Sequence, residues 1–175
     1  MRRARLVLAG CLAALVAAPA VRAQTTGTVP VTATVDNTAL VVQPVSNLDF
    51  GTVTRGTPVT VSPRSASAAY IDIQGAKNAQ IVVTWTLPTT LSTGSGGVTM
   101  PITFANNSAC YNRNSNQANC TRYNPVNSQT RRVRNQNPPN NNIGFWIGGT
   151  VSPSATQKPG VYRGTITLTA VYTGN

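Results

Sequence analysis

The chain has 175 residues, with fourteen lysines and arginines, three aspartates, no glutamate and no histidine. Asp36, Asp49 and Asp72 are scattered, so the chain lacks the base of a catalytic triad and the spaced carboxylate pair of a glycosidase. The same gap argues against a zinc or calcium site. The composition therefore predicts a protein that is not an enzyme and that holds no metal or other cofactor.

The first 23 residues have the pattern of a secretory signal peptide. Arg2, Arg3 and Arg5 precede the apolar run 6–18, and "VRA" at 21–23 suits a cleavage site. That run is too short to span a bilayer, and no second one follows, so no transmembrane segment is expected. The mature chain 24–175 would carry a net charge of +7, with ten lysines and arginines against three aspartates. We expect it to be exported to the periplasm, the cell surface or the medium.

Short strand patterns then follow one another, separated by turn clusters such as "TRGT" and "STGSGG". The predicted strands cover 28–35, 39–45, 48–53, 58–62, 70–74, 79–87, 98–104, 143–151 and a closing strand that begins at Tyr162. This series predicts an all-β protein, an immunoglobulin-like antiparallel β-sandwich of about seven to nine strands, with a barrel as the alternative.

The closing strand shows the clearest alternation. Its apolar or glycine positions, which follow Gly160, are Tyr162, Gly164, Ile166, Leu168, Ala170 and Tyr172. Arg163 and three threonines stand between them. A period of two predicts one buried face and one face in water.

Residues 106–142 interrupt the strand series as an insertion within the predicted domain 37–175. They hold thirteen asparagines, five arginines and both cysteines of the mature chain. A stretch of this length without strand patterns is either functional or flexible. The arginines are candidate contacts for an anionic polymer such as a polysaccharide: Arg113, Arg122, Arg131, Arg132 and Arg134. A solvated loop is the alternative, and no signature of specific nucleic-acid binding accompanies them.

Several single residues have simple structural interpretations. Cys110 and Cys120 are the one cysteine pair of an exported chain, which predicts a disulfide rather than a redox or metal pair. Trp85 and Trp146 are expected to pack in the core rather than stack on a ligand. Asp49 should hydrogen-bond nearby backbone, and Asp72 should face water. Gly148-Gly149 should allow a bulge or a close backbone approach.

Two stretches resemble a group of secreted surface domains. "SNLDFGTV", 46–53, is similar to an early strand of domains related to the spore coat U group, which includes archaic chaperone–usher pilin subunits. "QKPGVYRGTITLTAVY", 157–172, resembles the ending of that group. "FWIGGTVSP", 145–153, resembles a strand of an uncharacterised sister family of exported domains. The basic insertion, the lack of a cysteine near Ala39 and the three residues after Tyr172 favour the sister family.

The resemblance implies an incomplete sandwich whose missing strand is donated by an identical or related subunit, with a periplasmic chaperone and an usher as partners. Gly160 and Tyr172 have the twelve-residue spacing found in such pilins. The N-terminal segment 24–36 offers a donor strand, with Val29, Val31, Ala33 and Val35 on one face. The alternative is that 28–35 is the first strand of its own sandwich.

Two functions follow as expectations. The first is a non-catalytic structural surface protein, either a pilin-like subunit of a fimbrium or a related matrix domain. The second is a monomeric secreted module that binds anionic polymers through the insertion.

Overall fold

Twelve β-strands form the fold in a computed structural model of the chain, which describes Pro30, Thr32 and residues 38–94 and 97–174. No α-helix occurs among these residues, and so none is long and apolar enough to cross a membrane. The strands are β1 (Val41–Ser46), β2 (Val59–Val61), β3 (Ala69–Gln74), β4 (Gln80–Thr86), β5 (Thr90–Ser92), β6 (Thr99–Thr103), β7 (Ala109–Asn112), β8 (Thr121–Tyr123), β9 (Gln129–Arg132), β10 (Asn142–Ile147), β11 (Gly149–Val151) and β12 (Thr167–Tyr172).

These strands form three antiparallel sheets. The first has five strands in the order β1-β3-β10-β7-β8, the second has four in the order β2-β11-β6-β5, and the third has three in the order β12-β4-β9. Within the described part of the chain, β1 pairs only with β3, and β12 pairs only with β4. Both β1 and β12 are therefore edge strands.

The five-stranded and three-stranded sheets enclose the main core. Alternation decides which residues enter it, because every second side chain on a strand faces the same way. The buried members from β3, β10, β4 and β12 are Ile71, Ile73, Ile143, Phe145, Ile147, Ile81, Val83 and Leu168. Burial of each such side chain stabilises the fold by about 1.5–3 kcal/mol. This packing confirms the predicted all-β sandwich.

Gly148 marks the passage of the chain from one sheet to another. β10 ends at Ile147 in the five-stranded sheet, and β11 begins at Gly149 in the four-stranded sheet. A side chain at Gly148 would collide with the backbone carbonyl of Val61. The close backbone approach expected at this glycine pair is therefore present.

The observed strands differ from the predicted ones in several regions, among them 143–151, which was predicted as one strand but is divided at Gly148 into β10 and β11. Residues 48–53, predicted as a strand, lie in none, and the closing strand begins at Thr167 instead of Tyr162. The insertion 106–142, where no strand was predicted, contributes β7, β8 and β9. These three strands, together with the short β5, raise the number above the expected seven to nine.

The disulfide lies on the outer face of the five-stranded sheet. Cys110 and Cys120 are bonded as predicted, with their Cα atoms 5.5 Å apart, and both pack against Trp146. Tyr70 stacks on Trp146 with the ring centroids 4.7 Å apart. Trp146 is thus buried as expected, but on the face opposite to its neighbour Phe145.

Asp72, expected to face water, is buried. Its side chain points to the outer face of the sheet, but that face is covered. Ser115 of the insertion and Asn142 of β10 donate hydrogen bonds to Oδ1 at 3.4 and 3.0 Å, and the Tyr70 hydroxyl donates one at 3.0 Å. The expectation failed because the strand pattern gives the direction of a side chain and does not reveal what covers it.

Candidate functional site

β1 and β12, the edge strands of the five-stranded and three-stranded sheets, flank one side of the sandwich, which we call the seam. Tyr172 closes one end of this seam. Its hydroxyl donates a hydrogen bond to the Thr38 carbonyl at 3.0 Å and accepts one from the Ala76 N–H at 2.6 Å. Gly75 leaves room for this phenol, since a Cβ there would lie 2.6 Å from the hydroxyl oxygen. The last residue of the closing strand therefore fixes the chain that enters β1.

At its other end the seam opens into a groove of about 890 Å³. One wall is the segment 47–55, which follows β1, and the other is the segment 158–166, which leads into β12. Leu91 of β5 and the buried residues Met100 and Ile102 of β6 line the floor. The floor thus belongs to a second hydrophobic cluster, apart from the main core.

A smaller cavity of about 210 Å³ continues the groove toward the main core. It shares Leu48 and Ile166 with the groove and reaches Ile71 and Ile147. The smaller cavity is therefore lined by residues of the main core, and the groove by residues of the second cluster.

The wall 47–55 is not part of any sheet. Among described residues, the Asp49 N–H donates to the Ser67 carbonyl at 2.9 Å, and the Gly51 N–H donates to Oδ1 of Asp49 at 2.8 Å. The second bond confirms the local role expected for Asp49. Gly51 and Gly56 have positive φ angles of 63° and 71°, which glycine adopts readily. These turns interrupt a strand pattern and leave Leu48, Phe50 and Val53 half-buried against the second cluster.

The wall 158–166 is attached on its outer side. Arg163 and Ser92 exchange two backbone hydrogen bonds of 2.8 Å. The Tyr162 hydroxyl accepts a hydrogen bond from Nε2 of the buried Gln157 at 2.6 Å and donates one to a carbonyl of its own wall at 2.7 Å. Four of the closing-strand positions line the groove, namely Gly160, Tyr162, Gly164 and Ile166, whereas Leu168 enters the main core.

The rim of the groove is positively charged. Arg55, Lys158 and Arg163 line it together with Asp49. The Asp49 carboxylate accepts a hydrogen bond from the Gly51 backbone and pairs with no cation among the described residues. The positive charge of the rim is therefore left for an occupant of the groove.

The candidate donor positions Val29, Val31, Ala33 and Val35 lie outside the described residues, as does the expected signal peptide 1–23. Pro30 and Thr32 are described, and both are exposed and outside any strand. The pairing of the segment 24–36 therefore stays a prediction.

The structure separates two of the five candidate polyanion contacts from the others. Arg131 faces inward, and its guanidinium lies over the Tyr111 ring, 4.1 Å from the centroid. Arg122 lies beside Ser62, donating to its Oγ at 3.3 Å. Strand alternation on β9 directs the neighbours Arg131 and Arg132 to opposite sides, which a count of arginines in the sequence does not show.

The remaining three arginines, Arg113, Arg132 and Arg134, come together near the end of β9. The Arg113 Nη2 donates to the carbonyl of Val133 at 2.9 Å, directly between the other two. Lys77 joins them, because the Arg132 Nη1 donates to the carbonyl of the next residue, Asn78, at 3.1 Å. Sequence reasoning missed Lys77, which is distant in the chain and reaches this end through the turn between β3 and β4.

The buried aromatic residues have structural roles. Trp85 packs against the main core as expected, and its Nε1 donates to the Tyr123 hydroxyl at 2.8 Å. Burial raises the pKa of Tyr123 well above its ordinary value and also raises the pKa of Tyr70. Within residues 38–94 and 97–174, no group of three or more His, Cys, Asp or Glu could hold a metal ion.

These features define an antiparallel β-sandwich domain whose seam opens into a largely apolar groove with a cationic rim. The chain belongs to the family described as Domain of unknown function (DUF4402), whose model matches residues 20–172. The match includes both walls of the groove and the whole insertion. No curated protein matches the chain.

Proposed function

We propose that the protein is a non-catalytic, exported structural domain of the cell surface, pilin-like in that its groove receives an extended strand from another subunit. The observation that carries this proposal is the groove of about 890 Å³ at the open seam. It exposes apolar side chains beside backbone segments that belong to no sheet.

An extended strand suits this groove chemically. Among described residues, the N–H groups of Leu48, Phe50 and Val53 have no backbone partner, and an inserted strand would offer carbonyls to them. Strand addition draws affinity from such main-chain bonds and specificity from every second side chain. The same insertion would cover the half-buried apolar residues of both walls.

The segment 24–35 of a second copy is the occupant that we favour. Its eight residues 28–35 would extend for about 27 Å as a strand. One face carries Val29, Val31, Ala33 and Val35, which could fill the groove. The segment has no charge, and Asp36, which follows it, could pair with Lys158 or Arg163 on the rim.

The rival arrangement keeps the segment in its own subunit. Asp36 and Asn37 are residue types that favour turns, and Thr38 lies at the closed end of the seam. The segment 24–35 could therefore fold back along the free edge of β1. The protein would then be a self-sufficient monomer. An open apolar edge, in contrast, needs protection before assembly, which is the role of a periplasmic chaperone and an usher in this proposal.

The test uses the mature chain 24–175, a shortened chain without residues 24–35, and a synthetic 24–35 peptide. Strand donation predicts polymers of the mature chain in light scattering and none of the shortened chain. It also predicts that the peptide binds the shortened chain and slows amide hydrogen exchange in 47–55. A mature chain that is a stable monomer, with a peptide that has no effect, would contradict the proposal.

Substitutions at two exposed valines, one in the groove wall and one outside it, test where the peptide binds. Val161 in the groove wall is 67% exposed, and Val126, which does not line the groove, is 73% exposed. Val161→Asp should weaken peptide binding at least about tenfold, because a carboxylate would be placed against the apolar strand. Val126→Asp adds the same charge and should leave the affinity unchanged. Equal effects of the two substitutions would place the peptide elsewhere.

A further inference from the structure

We infer that the end of the sandwich opposite the groove binds a linear polysaccharide that carries carboxylate groups. This surface, the basic end, consists of Lys77, Arg113, Arg132 and Arg134. β3 and β4 separate the two ends, since the groove lies near the start of β3 and the end of β4, whereas Lys77 lies between the end of β3 and the start of β4. The inference is independent of strand insertion.

Backbone contacts bring these cations around one turn. The Arg113 Nη2 donates to the carbonyl between Arg132 and Arg134 at 2.9 Å, and the Arg132 Nη1 donates to the Asn78 carbonyl at 3.1 Å. The Asn78 N–H in turn donates to the Arg134 carbonyl at 3.4 Å. Asn78 adopts a positive φ of 59°, which asparagine tolerates, and Lys77 directly precedes it.

The backbone hydrogen bonds that position Arg113 and Arg132 leave most of their N–H donors free. A guanidinium has five N–H donors, and a bond to one carbonyl leaves the others for a ligand. Lys77, Arg113 and Arg132 are exposed, and Arg134 is half-buried. A fixed planar guanidinium recognises a carboxylate through two parallel hydrogen bonds, which suits the repeated carboxylates of a uronate polymer.

No described carboxylate neutralises the basic end. The described residues hold ten lysines and arginines against two aspartates. Asp49 lies at the groove. Asp72 is buried, and its hydrogen-bond donors are the uncharged side chains of Tyr70, Gln74, Ser115 and Asn142. Within the described residues, the charge of the basic end is therefore left free for a partner.

The neighbouring side chains favour a polysaccharide over a nucleic acid. Single-stranded nucleic acid is bound by stacking its bases on accessible aromatic rings. The Tyr111 ring is covered by Arg131, and the hydroxyl of Tyr172, whose ring lies near Lys77, is held by the Thr38 carbonyl and the Ala76 N–H. Exposed amides stand there instead, on Asn78, Asn114 and Asn135, and amides can both donate to and accept from sugar hydroxyls.

The experiment measures binding of the mature chain to polygalacturonate, to single-stranded DNA and to neutral dextran over a range of salt concentrations. Lys77→Gln/Arg132→Gln removes two charges from the basic end, and Arg55→Gln/Lys158→Gln removes two charges from the groove rim as the control. The first pair should weaken polygalacturonate binding about tenfold at low salt and make its salt dependence shallower. The control should change it less than about twofold, and dextran should not bind.

Two results would overturn the inference. Equal losses in both double variants would mean that only net charge matters, and DNA bound as tightly as polygalacturonate would mean that the surface does not select a polysaccharide. If the first double variant fails to fold, Lys77→Glu alone repeats the test at an exposed residue. An unchanged affinity of that variant for polygalacturonate would equally contradict the assignment.

Discussion

The insertion and the groove wall 47–55 both have structures opposite to those that their sequence patterns predict. Residues 106–142 have the composition of a loop, yet they supply three strands and the buried residues Tyr123 and Val133. Residues 48–53 have the pattern of a strand, yet they lie in no sheet and border a groove. A strand pattern shows that a segment can form a strand, but the segment does so only where a neighbouring strand pairs with it.

The insertion provides its own partners through asparagine side chains. Oδ1 of Asn112 accepts hydrogen bonds from the N–H groups of Asn114 and Asn116 at 2.7 and 3.3 Å. Oδ1 of Asn124 accepts one from the N–H of Val126 at 3.1 Å. Such side-chain bonds replace backbone partners in tight turns, so an asparagine-rich segment can be ordered.

The largest expected effect tests whether the insertion is part of the core. Val133 and Val126 both lie in the insertion, and they are 0% and 73% exposed. Val133→Asp would bury an unpaired carboxylate and should lower the free energy of unfolding by more than about 4 kcal/mol. Val126→Asp should change it by less than about 0.5 kcal/mol. Urea unfolding measures both variants, and a stable Val133→Asp variant would mean that the insertion is not packed as described.

Much of the fold could be predicted from the sequence because most strands alternate. β2, β3, β4 and β6 lie within one residue of their predicted bounds, and the cysteine pair is bonded as expected. The strands of the insertion were missed because their inward residues are few and mixed, such as Tyr111, Tyr123 and Arg131. The groove could not be read from the sequence, since its walls have strand patterns and only the topology leaves them unpaired.

A smaller effect concerns the disulfide, which links two residues of the insertion on the outer face of the five-stranded sheet. Cys110→Ala/Cys120→Ala should lower the free energy of unfolding by about 3 kcal/mol, because the bridge closes a short loop in the unfolded chain. The β signal in circular dichroism should persist, since the main core lies on the other face of the sheet. Mild reduction of the wild type should reproduce the change and leave the double variant unaffected. Loss of the whole β signal on reduction would show that the insertion holds the sandwich together.

The smallest effect tests how deeply β8 of the insertion enters the core. Tyr123→Phe removes the hydrogen bond from Trp85 and should cost about 1 kcal/mol near pH 7. Burial raises the pKa of Tyr123 in the folded protein, so its phenol ionises more readily in the unfolded chain. The protein therefore has its full stability below the pKa of the unfolded tyrosine, about 10. As the pH rises above this value toward the higher folded pKa, the free energy of unfolding falls by about 1.4 kcal/mol per pH unit. The phenylalanine variant lacks this loss, and its disadvantage should shrink or reverse near pH 11 in urea unfolding.

Trp85→Phe is the matched control, because it removes the same hydrogen bond but retains the buried phenol and hence the steep alkaline decline. Parallel stability curves of the wild type and Tyr123→Phe above pH 10 would mean that Tyr123 reaches water and that β8 lies on the surface of the core rather than within it.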